Sequence, residues 1–175
     1  MNIQSLITSS LNGDQKAMRA LFDAVSPKVN YVCQRHFDDP QDVKEAVQIS
    51  MIRIFKKLEQ FDPSKGEFFG WSYRIAMNES LRLIRKNARF EHEDIDEINK
   101  DSEDLGIDEQ LNSSESLELL NCLKGNHRVV FNLFFVEGYN HKEIGEQLGI
   151  SEITSRTTYH RAKKKLQEYY SLQST

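Results

Sequence analysis

Apolar positions recur at helical spacing along most of this chain. Val43, Val47, Met51, Ile54 and Leu58 follow steps of 4, 4, 3 and 4, one stripe of a single helix. Asp39 is placed to cap that helix, and Pro40 sits at its first position, where the missing N–H costs nothing. Tyr73, Met77, Leu81 and Ile84 make a second stripe. Upstream, Asp14 is a plausible cap for a helix whose Met18, Leu21, Phe22 and Val25 share a face. Pro27 is expected to interrupt it, with Val29, Val32 and Cys33 on a following segment. From Leu117 onward the pattern predicts four more helices, the first carrying Leu117, Leu120 and Leu123. Eight glycines and three prolines leave little punctuation for strands. The expected fold class is all-α.

Two helices carry more than a core stripe. Ile49, Ile52 and Phe55 lie largely off the Val43–Leu58 line, so that helix is apolar on more than one face. Such a helix is either deeply buried or docks on a partner, and the sequence leaves both open. In the helix after the turn cluster "DPSKG", Arg74, Asn78, Arg82, Arg85 and Arg89 form a polar row beside the apolar one. Phe61, Phe68, Phe69 and Trp71 stand at its entrance. A basic row alone is most often a solvated face. Aromatics beside it suit unpaired nucleic acid, because bases stack on aromatic faces and arginines follow phosphates.

Charge divides the chain. Residues 1–89 hold 14 basic and 10 acidic residues, 90–118 hold one basic and 12 acidic, and 119–175 hold 8 basic and 5 acidic. The whole-chain value of −4 therefore conceals two mildly basic parts around one acidic stretch. Like charges and few large apolar residues make that stretch an expected tether. The layout expected is two small helical domains, 1–89 and 117–175, joined by an acidic linker at 90–116.

The C-terminal part has helix-turn-helix grammar. Gly138 is placed to end one helix. Asn140 with Glu143 forms a potential capping box, and Ile144 and Leu148 point inward. Gly145 leaves room for another helix, Gly149 permits the tight turn, Ile150 plugs the core and Ser151 caps the last helix. On that helix Glu152, Thr154, Ser155 and Arg156 are candidates for base edges and Arg161 and Lys164 for the phosphate backbone, with Thr157 and His160 also in the DNA-binding set. Lys163 and Lys165 add backbone-binding candidates.

Other classes find less support. Cys33 and Cys122 match no metal spacing and read as free thiols in a reducing cytosol. His36, His92, His127, His141 and His160 form no ligand or base constellation, so neither an enzyme nor a metal or other cofactor is expected. The N-terminus lacks a basic region and a long apolar core, and no run is long enough to cross a membrane, so a cytoplasmic protein without membrane insertion is expected. An ordinary helix-turn-helix regulator and an all-helical protein adaptor remain alternatives. The aromatic–arginine helix argues against the first, because a duplex reader needs no stacking platforms.

Both halves together resemble the bacterial RNA polymerase sigma factors of the extracytoplasmic-function (ECF) type. Glu45, Gln48, Phe68, Trp71, Tyr73, Arg74, Ile75, Ala76 and Asn78 fill the pattern of the family's region 2, and "EGYNHKEIGEQLGIS" with "RAKKKL" that of region 4. The resemblance implies a factor without catalytic activity that brings RNA polymerase core to promoter DNA and opens it. It implies docking of Glu45, Gln48, Ile49, Ile52 and Phe55 on the β′ clamp helices, with region 4 at the β flap. It implies capture of the minus-ten single strand by Phe61, Lys65, Phe68, Trp71, Arg74, Asn78, Arg82 and Arg85. The recognition helix would read the minus-thirty-five duplex, and the acidic linker would run toward the RNA exit path. Many relatives have an anti-sigma partner. The chain departs from the family at Ile49, often acidic, at Gly145, usually Ala, and at Ser155 and Thr158, often Val and Arg.

Overall fold

The computed structural model describes residues 2–87, 117–118 and 120–173. The linker expected at 90–116 and Arg89 lie outside the described residues. Every regular element among the described residues is helical. No helix among them is long and apolar enough to cross a membrane. By contact the chain divides into two units, one of Met1–Gln34 with Asp39–Leu83, the other of Arg35–Asp38 with Ile84–Thr175.

The first unit is built by α1 (Ile3–Leu11), most of α2 (Gln15–His36), α3 (Pro40–Lys56) and most of α4 (Phe68–Asn87), the ends of α2 from Arg35 and of α4 from Ile84 belonging to the second. The stretch before Asp14 is itself a helix, α1, capped by Asn2 and burying Leu6, Ile7 and Ser10. Asp14 Oδ1 accepts from the backbone N–H of Lys16 and Ala17, and Asp39 caps α3 with Pro40 at its first position. Helix α2 runs unbroken through Pro27, where an interruption was expected. A mid-helix proline costs about 3 kcal/mol. Burial of Val25, Val29, Val32 and Cys33 outweighs that, at roughly 1.5–3 kcal/mol for each large apolar side chain.

The register of α2 also differs from expectation. Its buried line is Ala17, Leu21 and Val25, while Met18 and Phe22 are 41% and 39% exposed. On α3, Met51 and Ile54 are buried with Ala46 and Ser50, and Leu58 follows in a 3-10 turn. On α4, Met77, Leu81 and Ile84 are buried with Phe68, Ser72, Ala76, Ser80 and Leu83. Cross-links between helices are specific. Ser80 Oγ lies 3.8 Å from Cys33 Sγ, Arg53 Nε donates to Glu79 at 3.0 Å, and Lys28 Nζ sits 4.3 Å from the Phe69 ring centre.

In the second unit residues 117, 118, 120 and 121 are helical. There follow α5 (Gly125–Phe131), a π-helical segment (Asn132–Val136), α6 (His141–Leu148) and α7 (Glu152–Gln173). Leu120, Leu123, Phe131, Ala162 and Leu166 form its core, with Cys122, Phe135 and Tyr159 packed on it. The buried Arg128 donates to the Leu120 carbonyl and to Asn121, tying the first turn to α5. Within the π segment the buried Asn132 accepts from Arg35 at 3.0 and 3.1 Å, and Arg35 pairs with Glu137 at 2.5 Å.

Candidate nucleic-acid interface

The first candidate site begins with a turn. Phe61 leaves the 3-10 turn Leu58–Gln60 in extended conformation, and a second such turn, Pro63–Lys65, follows. Asp62 caps it, accepting from the backbone N–H and hydroxyl of Ser64 at 2.9 and 2.7 Å. Those two bonds, with Lys65 Nζ at 3.6 Å, hold its carboxyl below the usual range. Gly66 then takes φ +140°, which side-chain-bearing residues rarely adopt. The loop thus returns the chain to the start of α4.

Between this loop and α4 lies a pocket of about 280 Å³ lined by Gln60, Phe61, Asp62, Lys65, Gly66, Glu67, Trp71, Arg74, Ile75 and Asn78. Phe61 and Trp71 are half-buried, their ring centres 5.6 Å apart. Phe68, at 2% exposure, stands behind both, 5.2 Å from Phe61 and 5.6 Å from Trp71. Phe68 therefore cannot offer a face to a base, and its role as a contact is corrected to that of a support. Arg74 reaches across the loop, since a Cβ added at Gly66 would lie 3.9 Å from its Nη2. Arg74, Asn78, Arg82 and Arg85 are all exposed along α4, a row of about 17 Å at 1.5 Å per residue. Arg82 shares Glu79 with Arg53, at 2.9 and 3.0 Å, so part of its charge is compensated.

The helix-turn-helix forms the second site. Asn140 accepts from the Glu143 backbone N–H at 2.9 Å and Glu143 from that of Asn140 at 2.8 Å, completing the capping box. Gly149 is left-handed at φ +72°. A Cβ at Gly145 would come within 2.8 Å of the Ile150 carbonyl, so the close approach there is by the turn's own backbone rather than another helix. Ile150 is only half-buried. Ser151 Oγ accepts from the Thr154 N–H at 2.9 Å and caps α7.

On α7 the candidates separate. Ser155 is fully buried and its Oγ lies 3.0 Å from His141 Nδ1. It cannot reach a base, and its assignment as a reader is corrected: it joins α6 to α7. His141 stacks on Phe134 with ring centres 4.4 Å apart, and burial, then the charges of Arg156 and His160, hold its pKa below the ordinary value. Thr154 is half-buried, with its hydroxyl 2.8 Å from that of Ser151. Glu152 and Arg156 are exposed and pair with each other at 2.6 Å. Thr157 and Arg161 are half-buried, His160 and Lys164 exposed. Sequence reasoning passed over Ile153, which is 54% exposed at the centre of this face. Its spacing from Arg156, Thr157, His160 and Lys164 was the available signal.

A third surface is α3. Glu45 and Gln48 are exposed, Ile49 and Phe55 half-buried, and Ile52 is 49% exposed. Phe22 stacks on Phe55 at 6.4 Å and widens the apolar surface onto α2.

The family model of Sigma-70 region 2 matches residues 21–90, and that of Sigma-70, region 4, matches residues 115–166. The chain is similar to the ECF RNA polymerase sigma factor SigE of Mycolicibacterium smegmatis, 28% identical over 93% of this chain, and spans 66% of that protein's length. It is 23% identical to the ECF RNA polymerase sigma factor RpoE of Cereibacter sphaeroides, over 90% of this chain and 88% of that one. Among solved structures, the sigma factor RpoE in complex with the anti-sigma factor NepR from Bartonella quintana aligns with a TM-score of 0.41 and 17% identity, over 87% of this chain and 96% of that one.

Proposed function

The chain belongs to the extracytoplasmic-function sigma factors, the initiation factors that direct bacterial RNA polymerase to promoters, and from that footing we propose how its residues divide the task. The first unit captures the non-template strand at the minus-ten element. An unstacked base enters the pocket between the Pro63–Lys65 loop and α4, against Phe61 and Trp71. Arg74, Asn78, Arg82 and Arg85 hold the phosphates that follow. The observation that carries this reading is the joining of half-buried aromatic walls, backed by the buried Phe68, to an exposed arginine row.

The chemistry suits opened DNA. Stacking on an aromatic side chain contributes roughly 1–3 kcal/mol per base. That is the same order as the few kcal/mol needed to unstack a base from duplex. Capture of this kind therefore stabilises an opening that would otherwise close. The second unit holds paired DNA upstream, with α7 in the major groove and Arg161 and Lys164 toward the backbone. The exposed face of α3, with Ile52 and Phe55 at its centre, docks on the polymerase β′ clamp helices, and an anti-sigma factor would compete for it. The factor itself supplies binding energy and the polymerase supplies the chemistry.

Reconstitution with core polymerase and a genomic promoter library tests this. Trp71→Ala should reduce permanganate reactivity of the opened region about tenfold, the loss of one stacked base, and Arg74→Ala should reduce it through a lost phosphate contact. Closed-complex binding should change far less. Ile52→Glu should abolish co-elution with core while the free chain stays folded. Unchanged permanganate footprints in both pocket variants would remove the strand-capture role.

A further inference from the structure

We propose that Ile153 reads DNA sequence by packing on the C5 methyl group of a thymine in the major groove. This rests on the reading of α7 as the helix that enters duplex DNA, and it names a residue and a chemical target within that reading.

Ile153 has the highest exposure of the large apolar residues described, at 54%. A single exposed isoleucine is ordinary in itself. Its position is what distinguishes it. Arg156, Thr157, His160 and Lys164 follow it at i+3, i+4, i+7 and i+11, so all five share one face of α7. The opposite face is the buried seam of Ser155, Thr158, Ala162 and Leu166. Ile153 thus occupies the middle of the outward face, in the first turn, where a major-groove helix meets base edges.

The polar groups around it are already engaged. The Thr157 hydroxyl donates to the Ile153 carbonyl at 3.0 Å. The Thr154 hydroxyl lies 2.8 Å from that of Ser151, and the Arg156 guanidinium is held by Glu152 at 2.6 Å. What the first turn offers without rearrangement is therefore an apolar surface. Of the four bases only thymine presents an apolar group at its major-groove edge. The lysines and arginines later in α7 complement the phosphates on either side of such a contact.

The test uses holoenzyme reconstituted from the full chain and core polymerase, bound to a promoter duplex selected from a genomic library. Each thymine of the upstream element is replaced singly by deoxyuridine, which removes the methyl and leaves every hydrogen-bonding group in place. At one position wild type should lose about threefold to fivefold in affinity, the worth of one buried methyl. Ile153→Ala should bind thymine and uracil duplexes alike at that position, and Ile153→Val should keep part of the preference. The side chain is exposed, so unchanged helix content in both variants is expected.

The assignment is overturned if wild type distinguishes no thymine from uracil, or if Ile153→Ala keeps the wild-type ratio throughout. It is equally overturned if Ile153→Ala weakens binding to core polymerase without DNA, which would make the residue a protein contact. Base-pair transversions across the same element separate the two levels. If they weaken binding while uracil does not, only the Ile153 assignment falls. If they too are without effect, the reading of α7 falls with it.

Discussion

His36 is a buried ring held without its second proton. Its Nδ1 lies 3.3 Å from Asn132 Nδ2, and its surroundings push its pKa from 6.5 down to about 3. Burial is the larger cause, and the positive charges of Arg35 and Arg128 add to it. The unfolded chain therefore takes up the proton first as pH falls. The stability due to the neutral ring is complete above about 6.5 and is lost as pH falls from there toward 3. Between pH 7 and pH 5 this one residue should remove about 2 kcal/mol. Urea unfolding at the two pH values measures it, and His36→Gln should flatten the dependence by that amount. An equally steep dependence in the variant would place the effect elsewhere. Of the causes only the charge of Arg35 is adjacent in sequence; the burial and the guanidinium at Arg128 come from tertiary contact, which the sequence around His36 does not give away. Phe68 and Ser155 carry the same lesson. Their residue types suit a stacking platform and a base reader, yet one faces the core and the other faces His141.

Element ends were legible because caps are local chemistry. Asp14, Asp39, Asn140, Ser151 and Gly149 each act within a few residues of their own position, and each does what its side chain or its absence dictates. Gly149 gives a direct check. With φ at +72°, an alanine there pays the left-handed penalty of about 1–2 kcal/mol. Asn140→Ala should cost about 1 kcal/mol through the lost cap. Thermal unfolding should rank Gly149→Ala at or below Asn140→Ala, with promoter affinity following the same order. A Gly149→Ala protein as stable as wild type would show that the turn relaxes to a right-handed path. Less legible were features decided by packing: continuation of α2 through Pro27, the exposed register of Met18 and Phe22, and the π segment at Asn132–Val136. Helical periodicity shows that a face exists, but which neighbour covers it depends on elements far away in sequence. The pocket was foreshadowed by Phe61, Lys65, Trp71, Arg74 and Asn78, whereas Gln60 and Glu67 join its lining only through the course of the loop.

At the scale of the whole chain, charge is expected to limit when the proposed DNA-binding faces act. Residues 90–118 carry a net −11, against +4 in 1–89 and +3 in 119–175. Exposed arginines on α4 and lysines on α7 therefore belong to a chain that is acidic overall. Such a chain is repelled by DNA at long range, and its weak attraction must come from the basic faces at short range. Salt shortens that repulsion, since the Debye length is about 8 Å at physiological ionic strength and about 30 Å at 0.01 M. Selectivity follows. Free factor should bind non-specific duplex poorly, and polymerase, by holding the factor on a promoter, should supply the proximity that charge withholds. Replacing the acids between residues 90 and 118 by their amides tests this while leaving every residue of the two proposed DNA-binding faces unchanged. At low salt the free variant should bind a short labelled duplex at least tenfold more tightly than wild type, with a steeper dependence on salt concentration. The difference should shrink as salt rises, because the same screening that weakens phosphate contacts also removes the repulsion. Equal affinities for the two chains at low salt would mean that the acidic residues sit too far from the bound DNA to be felt, and that the free factor's selectivity must come from the basic faces alone.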